Sequence, residues 1–353
     1  MHQRIRETPV HGGSICAASR LTLDDGTSVF AKGWPERATA TSPANGSHRA
    51  KPDGFFEAEA AGLGWLRVAD GAPLPQVIVA TGDLLVLEWI DEGTPTAAAA
   101  RAFGAALART HRTGAAHFGA SPTTGAAAHL DASPNAGTAN APHDASAGTF
   151  GASPTTGTTT TEDTSPKPGR SAPHDATATS ADPAPAFIGA LPLDNSPHAG
   201  PWSAWFAEQR LRPYLRIAAD RGALRPADVE AVEGLLADIG RYAGAADAEP
   251  PARIHGDLWP GNLLWASGGA VHLIDPAAHG GHRETDLAQL AQFGGAPYLG
   301  DIIAGYQREW PLSPDWPARV PLHQLHLLLV HAALFGAGYR DVVMAAVRDT
   351  VES

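Results

Sequence analysis

Ile254-His255-Gly256-Asp257-Leu258-Trp259-Pro260-Gly261-Asn262 is the stretch on which the reading of this chain turns. An Asp stands two residues after a His and five before an Asn, and Leu263-Leu264-Trp265 follows directly. A second Asp comes thirteen residues after the Asn, in Val271-His272-Leu273-Ile274-Asp275-Pro276. The apolar runs Leu263–Trp265 and Val271–Ile274 flank Ser267-Gly268-Gly269, which reads as a hairpin with its turn. Asn262 and Asp275 would then be pinned at the two ends of one rigid hairpin.

This order of His, Asp, Asn and Asp resembles that of kinase-like phosphotransferases. The resemblance implies that Asp257 receives the proton of the attacking hydroxyl, while Asn262 and Asp275 hold the metal that carries the nucleotide phosphates. It also requires a Gly-rich strand turn, a Lys and a helix Glu upstream.

Composition narrows the field. The chain has 353 residues, with 37 Asp and Glu against 25 Lys and Arg, a formal charge of −12. That balance disfavours a general nucleic-acid binder, which needs clustered Lys and Arg. The single cysteine, Cys16, excludes an internal disulfide or a cysteine-based zinc cage. Residues 1–10 are charged and do not read as a secretory signal. No run approaches the about 18 apolar residues of a membrane helix. A cytoplasmic protein without nucleic-acid or membrane partners is expected.

Upstream, Ala18–Leu23 and Ser28–Ala31 read as two strands joined by an Asp24-Asp25-Gly26-Thr27 turn. Gly12, Gly13 and Ser14 precede them, and glycines there let backbone N–H groups approach phosphate oxygens. The same pair also serves as a plain turn. Lys32 ends the second strand. A helix follows over 55–66, with Phe56, Leu63 and Leu66 on its buried face. Glu59 shares that face and needs a cationic partner, for which Lys32 is the candidate and Glu57 the alternative acid. Residues 74–80 and 84–90 read as strands, the second nearly all apolar. Leu87, Glu88, Trp89 and Ile90 lead into a hinge-like exit and are the candidates for holding the nucleotide base. Residues 97–113 form an Ala-rich helix, with His111 as a packing histidine.

From Ser121 to Ala186 the only large apolar residues are Leu130 and Phe150. Phe118–Gly125 recurs as Phe150–Gly157, and Ala141–Ala145 recurs as Ala172–Ala176. A duplicated low-complexity insertion explains this better than a solenoid, because the unit lacks a core-forming face. Helical patterns resume at 202–219, where Pro213 should kink or split the helix, and continue at 226–243, 284–293, 298–310, 322–335 and 339–351. The plan is α+β and two-lobed: a strand-rich lobe over residues 1–90 and a helical lobe over 91–353, interrupted at about 121–186, with the nucleotide between them.

The words around the motif sharpen the resemblance. His255–Asn262, Ile274-Asp275-Pro276-Ala277, Gly281-His282-Arg283-Glu284-Thr285-Asp286-Leu287-Ala288 and Phe293-Gly294-Gly295 closely resemble the fructosamine kinase (ketosamine-3-kinase) family. Gly12-Gly13-Ser14-Ile15, Phe56–Ala60, Leu191–Asn195 and Trp202…Phe206…Arg210-Leu211-Arg212-Pro213 agree. The resemblance implies a protein-kinase-like fold and transfer of the γ-phosphate of ATP to the 3-hydroxyl of a ketosamine, whose unstable phosphate then leaves the amine deglycated. It implies ATP and Mg²⁺ as cofactors and Asp257 as proton acceptor. Asn262 and Asp275 would ligate the metal, with Lys32 on the phosphates positioned by Glu59. Trp259 would meet the sugar face or pack under the loop. His282, Arg283 and Glu284 would shape the substrate side, although Glu284 and Asp286 also suit the acidic first turn of the next helix.

Some members of the family carry a Cys directly after the glycine pair, where this chain has Ser14, so an inert thiol is expected at Cys16. A monomer or weak homodimer is expected. The competing readings are a small-molecule kinase of the aminoglycoside or choline type, and a pseudokinase that recruits partners. The presence of Lys32, Glu59, Asp257, Asn262 and Asp275 weighs against the latter.

Overall fold

The computed structural model describes residues 3–10, 15–35, 51–122, 185–198 and 200–353. Of two compact units, Met1–Ala127 with Pro183–Ser353 contains every described residue, and Ala128–Asp182 lies outside them. Gly12, Gly13 and Ser14 also lie outside, as does the expected insertion apart from residues 121, 122, 185 and 186.

Three N-terminal strands, β1 (Arg4–Val10), β2 (Ala17–Leu23) and β3 (Ser28–Gly33), precede helix α1 (Phe55–Leu66), then β4 (Val77–Ala80) and β5 (Leu84–Glu88). They form one antiparallel sheet in the order β1-β2-β3-β5-β4. The β2–β3 turn closes through Leu23 N–H on Thr27 O (2.8 Å), with Gly26 at φ 85°. β1 left no readable pattern, because nearly all of it is exposed and it buries no alternate face. α1 lays fully buried Phe56, Leu63 and Leu66 on the sheet face that carries Leu85 and Leu87.

The helical part begins with α2 (Ala97–Arg112), capped by the Thr96 hydroxyl accepting from Ala99 N–H at 3.1 Å. A short hairpin follows, β6 (Phe187–Ile188) with β7 (Leu191–Pro192). The expected helix over 202–219 is split into α3 (Trp202–Phe206), a π turn over Ala207–Leu211 and α4 (Arg212–Asp220). Pro213 has no N–H and its ring excludes the carbonyl four residues back, that of Gln209. That carbonyl instead accepts from Arg210 Nη1 at 3.0 Å. The pattern over 226–243 likewise divides at Asp238, into α5 (Pro226–Ala237) and α6 (Ile239–Ala243).

β8 (Ala252–Ile254) leads into the central motif. β9 (Leu263–Trp265) and β10 (Val271–Leu273) form the expected hairpin, and β11 (His279–Gly281) returns to pair with β8. Four helices close the chain: α7 (Arg283–Gln289), α8 (Leu299–Glu309), α9 (Trp316–Phe335) and α10 (Arg340–Glu352). α9 starts six residues before the sequence pattern does. Pro317 sits in its first turn, where no N–H is needed, and Pro321 is carried inside.

Two large cores result. One gathers Trp202, Trp205, Phe206, Leu325 and Leu329 among the C-terminal helices. The other joins α1 and β5 to α2, α8, and Leu258, Leu263 and Leu273 of the motif region, so it crosses from one lobe to the other. In that core α2 and α8 cross backbone to backbone at two glycines. A Cβ on Gly104 would strike Ile302 O, and one on Gly305 would strike Arg101 O. Gly104→Ala should therefore destabilise the protein by about 2 kcal/mol in a denaturant titration, since neither backbone can yield. Gly234→Ala, inside α5 with no heavy atom within 4 Å of the added carbon, should stabilise by about 0.5 kcal/mol or more. Equal effects at the two positions would refute the close crossing.

Candidate functional site

The motif loop leaves β8 and is shaped from behind by α7. Asp286, fully buried, accepts from the backbone N–H groups of His255 (2.7 Å) and Gly256 (2.9 Å). It also contacts His111 Nε2 at 3.1 Å, and His111 Nδ1 reaches the Tyr306 hydroxyl at 2.9 Å. One turn on, Gln289 Oε1 accepts from Leu258 N–H at 2.7 Å. Burial opposes the Asp286 charge, but His111 and the backbone donors outweigh it and hold the carboxyl below its usual range. Gly256, at φ 82°, is where the loop turns against Ala277 O and the His279 ring, which leave no room for a Cβ. His255 donates through Nε2 to Ile274 O (2.9 Å) and accepts from Asp257 N–H (3.2 Å). Burial keeps it neutral.

Asn262 donates to the Asp257 carbonyl at 2.7 Å, which closes the loop and leaves its side-chain oxygen as a ligand atom. Asp275 follows the hairpin at φ 53°, a left-handed conformation that Asp tolerates better than most residues. Its Oδ1 accepts from Lys32 Nζ at 2.9 Å, and the same ammonium donates to Glu59 Oε2 at 2.8 Å. The structure thus brings Lys32 of β3, Glu59 of α1 and Asp275 of the hairpin into one cluster. Glu57 is not part of it.

These groups line one cavity of about 480 Å³ together with Asp257, Trp259 and Asn262. Leu87, Glu88, Trp89 and Ile90 line it too, beside apolar Val10, Ile15, Phe30 and Leu264, a slot suited to a flat heteroaromatic base. Burial and the neighbouring Asp275 charge push the Asp257 carboxyl well above its usual range. Lys32 more than offsets burial at Asp275 and holds it low. Asp275 and Asn262 offer this cavity a carboxylate and an amide oxygen, donors of the kind a hard divalent cation takes. Trp259 folds over Gly261, where any Cβ would meet its ring, and it packs edge-to-face with Phe293, the ring centroids 5.8 Å apart. Cys16 lines the cavity as a half-buried free thiol, pushed up to about 11 by burial.

His282, Arg283 and Glu284 require a correction. All three are buried and none lines the cavity. His282 caps α7, accepting from Glu284 N–H at 3.2 Å and donating to Ala246 O at 3.1 Å. Arg283 pairs with Glu249 (2.7 and 2.8 Å) and lies over Trp310. Glu284 makes a two-pronged pair with Arg319, both contacts at 2.8 Å. They hold the helical lobe together behind the motif. Asp286 is an acid of the first turn of α7, as its position in the sequence suggests, but no local pattern marks that Asp286 and Gln289, one turn apart on α7, cradle the loop.

Residues 2–131 and 184–353 match the fructosamine kinase family. A probable ketoamine kinase from Lactiplantibacillus plantarum is 28% identical over 95% of this chain and 90% of its own length. One from Thermus thermophilus is 34% identical over 46% of this chain. The chain spans about half the length of several curated relatives, 57% in that case. The crystal structure of a candidate fructosamine-3-kinase from Thermobifida fusca is 38% identical, with TM-score 0.73 over 100% of this chain and 95% of that one. An antiparallel N-terminal sheet on a helical lobe, joined at this cavity, is the protein-kinase-like phosphotransferase fold.

Two outcomes test the site's physics. Asp286→Asn cannot accept from two N–H groups and His111 as the carboxylate does, so it should destabilise by about 3 kcal/mol on chemical denaturation. A neutral result would mean the cradle is dispensable. Burial raises the Glu59 carboxyl from 4.5 to about 7 despite Lys32. Folded protein then holds a proton that the unfolded chain has lost, so this group's contribution to stability falls as pH rises from 4.5 to about 7. Glu59→Gln lacks that dependence. Its denaturation midpoint should gain on the wild type across the window, and a constant difference would contradict the assignment.

Proposed function

The chain belongs to the fructosamine kinase family, and on that premise we propose that it transfers the γ-phosphate of ATP to the 3-hydroxyl of a ketosamine, a sugar joined to an amine by glycation. The observation that carries the reading is the convergence of Asp257, Asn262 and Asp275 with the Lys32–Glu59 pair on one cavity. The acceptor is a ribulosamine, erythrulosamine or fructosamine adduct, and loss of its unstable 3-phosphate frees the amine.

Leu87–Ile90 would take the adenine, where backbone groups could hydrogen-bond it. Lys32 holds the phosphates, and Glu59 keeps its ammonium aimed at them. Asn262 and Asp275 would hold Mg²⁺, which when bound would neutralise charge on the transferring phosphoryl group. Asp257 accepts the proton of the sugar hydroxyl. Its raised affinity for protons makes it a better base than a solvated Asp. Trp259, braced by Gly261 and Phe293, offers its face to the sugar.

ATP turnover with ribulosamine, erythrulosamine, fructosamine and aminoglycoside acceptors tests this. Turnover is expected on at least one ketosamine, and Asp257→Asn should lower kcat by about 10²–10⁴-fold while ATP affinity is kept. Turnover on aminoglycosides alone would remove the ketosamine reading. Ketosamine turnover unchanged by Asp257→Asn would remove the base.

A further inference from the structure

Arg210 is a fully buried cation in the π turn between α3 and α4. Its hydrogen-bond partners among the described residues are all neutral acceptors. Nη1 donates to the carbonyls of Asp194 (2.5 Å) and Gln209 (3.0 Å), Nη2 to Asn195 Oδ1 (2.6 Å), and Nε to His279 Nε2 (3.3 Å). The guanidinium lies 4.3 Å over the Trp205 ring. Among the described residues no carboxylate bonds to it, and the Asp194 carboxylate acts on it only through space. A charge buried in this way is a poor means of stabilising a core, and an apolar side chain would fill the space at less cost.

Its partners lead to the cavity in two directions. Asn195 turns its other end outward, donating through Nδ2 to Ser121 Oγ at 2.6 Å, and Ser121 lines the cavity. Gly119, at φ 83°, lets the chain pass so close to Asn195 that a Cβ would lie 2.8 Å from its carbonyl. On the other side His279 donates through Nδ1 to Ala277 O (2.7 Å), which leaves Nε2 to accept from Arg210. The His279 ring would lie 2.8 Å from a Cβ on Gly256, the residue before Asp257. Ala277 is two residues beyond Asp275 and also lines the cavity. One guanidinium thus ties the Ser121 wall to the loops that carry both acids.

We propose that Arg210 is a positioning residue for phosphoryl transfer, setting the Ser121 wall through Asn195, and the Gly256–Asp257 turn through His279, so that the acceptor hydroxyl meets Asp257. The proposal rests on the kinase reading above and deepens it: Ser121, held from the helical lobe rather than from the nucleotide-binding sheet, borders the acceptor end. Guanidinium geometry is required, because four acceptors in fixed directions suit a planar fork and not an ammonium.

The test is Arg210→Lys and Asn195→Ala, with ATP and acceptor varied separately, ATP Kd by calorimetry and thermal midpoint recorded. Arg210→Lys should lower kcat about tenfold and raise acceptor KM about tenfold, with ATP Kd within about twofold of wild type. Asn195→Ala should raise acceptor KM with a smaller loss of kcat, and it reads the same wall if the lysine variant does not fold. A lower midpoint with kcat, acceptor KM and ATP Kd all kept would overturn the proposal and leave Arg210 a packing residue. If the wild type turns over no ketosamine, the functional reading fails by itself. The positioning claim is then read on slow ATP hydrolysis, with water as acceptor. Hydrolysis must still fall in Arg210→Lys at unchanged ATP Kd, and hydrolysis equal to wild type overturns it.

Discussion

The Lys32 ammonium sits between a carboxylate of each lobe, Glu59 at 2.8 Å and Asp275 at 2.9 Å. A buried cation with one acid would be a local matter. With acids on α1 and on the hairpin of the helical lobe, the contact requires the two lobes to be held together. The second core supplies that, because Phe56 and Leu63 of α1 share it with Leu258 and Leu273. Gly62 lets α1 approach the segment after Asp275, where a Cβ would lie 3.3 Å from Ala278 Cβ and 3.4 Å from Pro276 Cγ. Arg253, one residue into β8, adds a bond to the Trp65 carbonyl at 2.6 Å and stacks on its ring. That cation meets the C-terminal end of α1, where the helix dipole favours it.

Behind this contact, two aspartates near one loop have opposite electrostatics. Asp286 has two backbone N–H groups and His111 around it, so its charge is stabilised although no water reaches it. Asp257 is pushed up by burial first and by the neighbouring Asp275 charge second, so its proton is held more tightly. Separating the proton affinities of neighbouring acids is how one fold keeps one as scaffold and the other free for chemistry. Exchanging their environments would leave neither role filled.

Much of this was legible in the residue order. Hairpin β9–β10 could be read because its apolar runs are short and its turn is Gly-Gly. The buried face of α1 could be read because Phe56, Leu63 and Leu66 keep helical spacing, with Glu59 among them. What could not be read falls into two kinds. β1 is an exposed edge whose charged residues leave no buried alternation, and α9 begins early because prolines at 317 and 321 look like breakers until the first turn is located. The other kind is the polar interior. His282, Arg283, Glu284 and Asp286 read as surface or cleft residues because charge normally marks exposure. Here each charge has a partner that is distant in sequence, such as Arg319 for Glu284 and His111 for Asp286. Long-range pairing leaves no local period.

The same point separates the two buried cations. Lys32 is paired with acids, so its position is secured by charge, and its small mobile head can still turn towards another anion in the cavity. Arg210 bonds to no acid among the described residues, the Asp194 carboxylate acting on it only through space, and the directions of four neutral acceptors and the face of Trp205 hold it. An ion pair tolerates a shift of its partners because Coulomb attraction falls slowly with distance. A fork of hydrogen bonds does not, because each weakens steeply off its angle. A flexible charge at the phosphate end and a rigid fork behind the acid loops are therefore suited to different work. The first can follow a group that moves during transfer, and the second holds still the walls against which it moves.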